Sequence, residues 1–228
     1  MESSDDLIDS GTIGALSYGW GSTKTNFLVF FLAVIVLIVL DIPLNPNGVD
    51  ADGEVVEPAT FYSLGLFAYW LLVLPVFDYG ADLIFLRGVR GDKVQIQEIL
   101  NGFYNYLHVV LTALLVFGLV GIALVIFIIP GIYVATRLVF ASYLVMDEGL
   151  DPVQAVEASW RMTRGHAFEI FFLGLIAVLL GIVGFILLFV GIIPAIMWAK
   201  ASFAAMYLSI TQEIKHDSEY VDYDEAGT

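Results

Sequence analysis

The chain has 228 residues and a formal charge of −15, yet 59% of it is hydrophobic and only 14% is charged, where a soluble domain carries about 25% charged residues. Its apolar residues are gathered into blocks near or past the roughly 18 that mark a transmembrane helix. That excludes a soluble enzyme and a disordered acidic protein, and nine basic residues are too few for a nucleic-acid binder.

The acidic opening MESSDDLIDS has no basic stretch such as a cleavable signal needs, so the first span is expected to be retained. Residues 1–11 are predicted to be a disordered acidic tail. Six spans follow at about 27–44, 61–86, 105–129, 131–147, 167–191 and 193–212. Lys24, Arg87, Arg90, Lys93, Arg161, Arg164 and Lys215 all fall on the side that holds both termini, and the connections on the other side carry no base. The positive-inside rule therefore predicts a multi-pass protein of the cell membrane with cytoplasmic N- and C-termini.

An internal pattern subdivides the chain. Residues 92–98 read DKVQIQE and residues 151–157 read DPVQAVE. Each precedes a span that closes in I-I-P, at Pro130 and Pro194, and the following helices share Ile132/Ile196, Ala135/Ala199, Ala141/Ala205 and Tyr143/Tyr207. Trp20, Thr23 and Lys24 mirror Trp160, Thr163 and Arg164, and Ile42-Pro43 supplies a third span ending. The fold predicted is all-α: three parallel repeats, each an amphipathic helix followed by a transmembrane hairpin, at about 12–86, 87–147 and 148–212. Together they make one membrane domain over 12–214, with an acidic disordered tail over 215–228.

In the second unit Ile96, Ile99, Leu100 and Phe103 share a helical face, and in the third Val153, Val156 and Trp160 do. Asp92 with Gln95, and Asp151 with Gln154, have the spacing of capping boxes, and Pro152 suits the first helical position. Such helices either lie in the membrane interface or pack on the bundle as connectors.

The run Gly80, Arg87-Gly88, Arg90-Gly91-Asp92 leads into a span closing in Ile129-Pro130-Gly131-Ile132, and Met146-Asp147-Glu148-Gly149 leads through Pro152, Ala155 and Ser159 to Gly165. Over about 78–210 this resembles the membrane domain attached to some glycerophosphoryl diester phosphodiesterases, and its free-standing relatives. Catalysis in that family belongs to a separate soluble barrel that this chain does not contain, so the resemblance implies a fold and a membrane location, not an esterase. A mitochondrial-carrier reading fails, because the residues two after Pro43, Pro130 and Pro194 are Asn45, Ile132 and Ile196, where that family requires acids.

Four ionisable residues fall inside spans: Asp78, Asp82, Arg137 and Lys200. A charge at mid-bilayer costs about 2.5–3.5 kcal/mol on insertion scales, so each needs a partner, a cavity or an interface. Asp78 and Asp82 are one helical turn apart, with Asp82 near enough to the membrane surface to be a solvated acid. One reading pairs Arg137 with Asp78 to hold two helices together. The other makes Arg137 and Lys200 the cationic wall of a polar site for an anionic substrate or lipid headgroup. Pro75 is expected to kink the second span above Asp78, and Gly118, Gly121, Gly181 and Gly184 to mark close helix approach. The small residues Ala195, Ala199, Ala201, Ser202, Ala204 and Ala205 predict a central sixth span.

No cysteine is present, and His108, His166 and His216 form no metal-ligand spacing, so neither a metal nor a cofactor is expected. No nucleophile–base set or phosphate loop occurs. The reading is a non-enzymatic membrane protein in a structural or accessory role, with membrane lipids and a protein partner or second copy as its partners and no nucleic acid. The alternative is a small transporter or exporter built around the four charges.

Overall fold

The computed structural model describes residues 11–41, 60–186 and 191–226, with the backbone alone at 60–62 and 217–226. The N-terminal tail through residue 10 and the connection over 42–59 lie outside the described residues. All regular structure described is helical. The elements are α1 (Thr12–Thr25), α2 (Phe27–Asp41), α3 (Thr60–Leu72), α4 (Leu74–Arg90), a 3₁₀ helix (Ile96–Phe103), α5 (Tyr106–Ile126), α6 (Ile128–Leu138), α7 (Ala141–Asp147), α8 (Pro152–Met162), α9 (Ala167–Ile186) and α10 (Ile192–Ala226).

Five segments are long and apolar enough to cross a membrane: Ser63–Arg90, Tyr106–Ile126, Ile128–Asp147, Ala167–Ile186 and Ile192–His216. The α1–α2 pair, bent by 98°, makes a sixth if it counts as one span. Large apolar side chains cover the outer faces, among them Leu28, Phe67, Leu111, Ile122, Phe172 and Ile182. Such a surface suits hydrocarbon and not water.

Two spans are broken, for different reasons. Ser63–Arg90 divides at Val73, with Pro75 in the first turn of α4, as a residue without an N–H requires. Ile128–Asp147 divides at Val139–Phe140 between α6 and α7, where no proline or glycine stands.

At the centre α4, α7 and α10 meet. Phe85, Phe140, Tyr143, Met206 and Tyr207 are buried there, and the Tyr143 and Tyr207 rings stack at 5.3 Å. The small-residue face of α10 is buried at Ala201, Ser202, Ala204 and Ala205, and this helix packs against α1, α2, α4 and α9. The helix Ile192–Ala226 is thus central, as its small residues predict.

The three short helices outside the hairpins each pack across a span. α1 lies on α10 and α9, the 3₁₀ helix on α4 and α2, and α8 on α5, α7 and α6. The contacts are close. A Cβ at Gly19 would stand 2.8 Å from the Ser202 Cα, and one at Gly80 2.0 Å from the Ile99 carbonyl oxygen. At α8 the Ser159 hydroxyl donates to the Arg137 carbonyl at 2.9 Å. These helices are therefore connectors seated on the bundle, although Val153 and Leu100 on them still face outward.

Several local expectations change. The second connector is a 3₁₀ helix whose capping box is Gln95–Glu98, one turn later than Asp92–Gln95. Asp92 is consumed in ending α4, its N–H bonding the Arg87 carbonyl at 3.0 Å beyond a left-handed Gly91. A threefold helix aligns Ile96, Ile99 and Gly102 in one row, and Ile99 and Gly102 are buried. Asp151 does precede α8 with Pro152 in its first turn, but no side-chain cap bond forms; its carboxylate instead meets His108 Nε2 at 2.8 Å. Around Gly118, Gly121 and Gly181 there is open space, and only Gly184 of the four predicted glycines is crowded, against Gly191. The predicted tail over 215–228 is helical as far as Ala226. No glycine or proline interrupts the chain between Pro194 and Gly227, so nothing local stops that helix.

Candidate functional site: an ion cluster at the floor of a cavity

Lys200 projects from α10 onto one face of α4. Its Nζ donates to Asp78 Oδ1 at 2.8 Å and to Asp82 Oδ1 at 2.8 Å. The two acids can share one ammonium because they stand a turn apart on the same helix. Asp82 is closed in, its side chain 9% exposed, whereas that of Asp78 is 52% exposed and that of Lys200 21%. Asp82 is thus a packed partner and not the solvated acid its position near the helix end suggested. Asp78 lies twelve residues before Arg90 on α4, about 18 Å along the axis.

Two cavities meet at this cluster. The larger, about 580 Å³, runs between α2, α3, α4, α5 and α10, with apolar walls that include Leu37, Trp70, Pro75 and Phe117. Asp41 borders it as well as Asp78 and Lys200. The smaller, about 320 Å³, shares Asp78, Tyr79 and Lys200 and adds Asp82, Ser142 and Tyr143. Each contains the break-flanking part of a span, Pro75 in the first and Val139 in the second.

Arg137 does not join this cluster. It is 3% exposed, its Nη2 donates to the Trp160 carbonyl, and its guanidinium lies 4.8 Å from the Trp160 ring centroid and 5.9 Å from that of Tyr133. The Arg137 carbonyl, beside the break between α6 and α7, accepts from Ser159 at 2.9 Å and from Thr163 at 3.2 Å. Arg137 thus fastens α8 to α6 through backbone, hydroxyl and aromatic contacts. Asp78 takes Lys200, not Arg137, as its partner. Of the four predicted residues, Asp78, Asp82 and Lys200 come together and Arg137 stands apart.

A second polar knot had no counterpart in the sequence reading. Arg90 grips Asp147 through two bonds of 2.5 Å, and the Tyr207 hydroxyl donates to the same carboxylate at 3.2 Å. It ties the ends of α4 and α7 to the middle of α10. Its only sequence signal was an acid and a base at matching span ends. Arg87 meets Glu98 at 2.7 Å, fastening the 3₁₀ helix to α4.

Among the described residues no group of three or more His, Cys, Asp or Glu side chains could hold a metal ion. No protein-family profile, curated protein or solved structure matches the chain.

Proposed function

We propose that this chain is a non-enzymatic integral membrane protein with a structural or accessory role in membrane organisation or lipid interaction. The observation that carries this reading is that its intramembrane charges are mostly engaged within the protein, with half of the Asp78 side chain and Arg137 Nε as the exceptions. Lys200 is neutralised by two acids, Arg137 is capped by backbone and aromatic rings, and Asp147 is held by Arg90 and Tyr207. What remains for the surroundings is an apolar exterior, which suits sustained contact with lipid. On this reading both termini and the seven basic residues outside the spans are cytoplasmic in a cell membrane.

The threefold scheme belongs to the same proposal. Each connector crosses the second hairpin helix of another unit, α1 on α10, the 3₁₀ helix on α4 and α8 on the α6–α7 pair. Such a cyclic exchange would close three parallel units into a ring, with α1 meeting the last. It is also in keeping with the resemblance to the phosphodiesterase-associated membrane domain.

The test is native mass spectrometry of the protein released from native-lipid nanodiscs. The proposal expects phospholipid retained at a fixed stoichiometry per chain under activation that strips micelles. Bare protein as the sole species would contradict it. The transporter reading draws on one observation, the 580 Å³ cavity that ends on Asp78 and Lys200. It predicts substrate counterflow in proteoliposomes that Asp78→Asn abolishes.

A further inference from the structure

The larger cavity combines features that serve packing poorly. It is partly open at the surface and about 580 Å³ in volume, within the size range of small-molecule sites. Its walls are aliphatic and aromatic, and its floor is ionic. Asp78 and Lys200 line it, Asp82 shares the Lys200 ammonium from the neighbouring smaller cavity, and Asp41 adds a further acid on the wall, so three acids stand against one base. Lys200 is the sole base among the described lining residues.

An anion entering here would meet a lysine already held by two carboxylates and would face a net negative floor. A small hydrated cation would meet mostly hydrocarbon. The complementary ligand has an apolar body and a single positive charge. Trp70 and Phe117, packed edge to face at 5.5 Å, form part of the wall and offer ring faces to such a charge. Asp78, with half of its side chain open, is the group the cation would reach.

We propose that this cavity binds lipophilic organic cations, with Asp78 as the principal anionic contact and Trp70 as an aromatic one. Lys200 then acts as an internal counter-ion that weakens the site's hold on the cation. The proposal concerns binding alone and stands whether or not the ligand is carried across the membrane.

The probe is tetraphenylphosphonium, with tetraphenylborate as an anion of nearly the same shape and apolarity. Each is titrated by equilibrium dialysis against the full-length protein in neutral detergent. Saturable phosphonium binding at one site per chain, with no saturable borate binding, is expected. Asp78→Asn should weaken the phosphonium at least about tenfold, Asp78→Glu should retain it, and Trp70→Leu should weaken it several-fold. Lys200→Met should tighten it, because the floor then carries a second uncompensated charge. Circular dichroism and gel filtration confirm the fold of each variant, and Trp70→Leu leaves the ionic cluster untouched if the acid variants do not fold. Equal binding of the two ions, no saturable phosphonium binding, or an unchanged affinity in Asp78→Asn would overturn the assignment.

Discussion

Replacing Lys200 with Met tests the ion cluster as a structural tie between α4 and α10. The substitution keeps an unbranched side chain and removes the ammonium that both acids share at 2.8 Å. Breaking a buried ion pair by deleting one partner costs about 3–5 kcal/mol, because the other charge is left without compensation. Asp82, at 9% exposure, bears nearly all of that cost, whereas Asp78, at 52%, is open enough to be relieved by its surroundings. The expected loss is therefore at the lower end, about 3 kcal/mol, or about a hundredfold in the unfolding constant. Equilibrium unfolding in mixed micelles with rising dodecyl sulfate, followed by tryptophan fluorescence, measures it. The unequal burial makes a sharper forecast. Adding Asp82→Asn to Lys200→Met should restore most of the loss, and adding Asp78→Asn should restore little. A Lys200→Met protein within about 0.5 kcal/mol of the parent, a size typical of uninvolved surface positions, would refute the reasoning. So would equal rescue by the two acids.

Other perturbations probe the remaining contacts by the same unfolding assay. Gly80→Ala, whose Cβ would lie 2.0 Å from the Ile99 carbonyl oxygen, should destabilise by about 1–3 kcal/mol or more, as overpacking does. Gly118→Ala, with open space around it in α5, should instead stabilise by about 0.5–1 kcal/mol. Trp160→Leu should cost about 2 kcal/mol by stripping the desolvated Arg137 guanidinium of its ring. Joining Ser159→Ala to Thr163→Val, which leaves the Arg137 carbonyl without its hydroxyl donors, should cost about 1–3 kcal/mol.

The apolar, membrane-length helices and the central place of the small-residue helix α10 were legible because they rest on run length and on small-residue spacing, which need no tertiary knowledge. The partners of the intramembrane charges were not. Arg137 and Lys200 lie one residue out of register between corresponding helices: Thr136, not Arg137, corresponds to Lys200 under the spacing that aligns Ala135 with Ala199. One residue is about 100° of helix rotation, enough to send Lys200 toward α4 and Arg137 toward α8. A shared cationic wall was therefore never available to them.

The glycines teach a related lesson. Gly118, Gly121 and Gly181 repeat within long apolar helices, as close-packing glycines do, yet the space around them is open. Of the crowded ones, Gly19, Gly80 and Gly102 lie where a connector crosses a span, and a crossing cannot be read from one helix alone. The 3₁₀ connector was masked for another reason. Ile96 and Ile99 satisfy both the threefold and the 3.6-residue periods, and only the early use of Asp92 in ending α4 decides between them.

Single-cysteine labelling tests the central claim most directly, since the natural chain has no cysteine and needs no background removed. Asp52→Cys, Lys93→Cys and Gly149→Cys are each exposed to a membrane-impermeant maleimide, before and after permeabilising the cells. A six-span ring with all three connectors on the cytoplasmic face predicts that Asp52→Cys reacts in intact cells and the other two only after permeabilisation. Labelling of Asp52→Cys and Lys93→Cys from the same side would mean an even number of crossings between them, and would contradict both the parallel units and the membrane orientation of the Asp78 cavity.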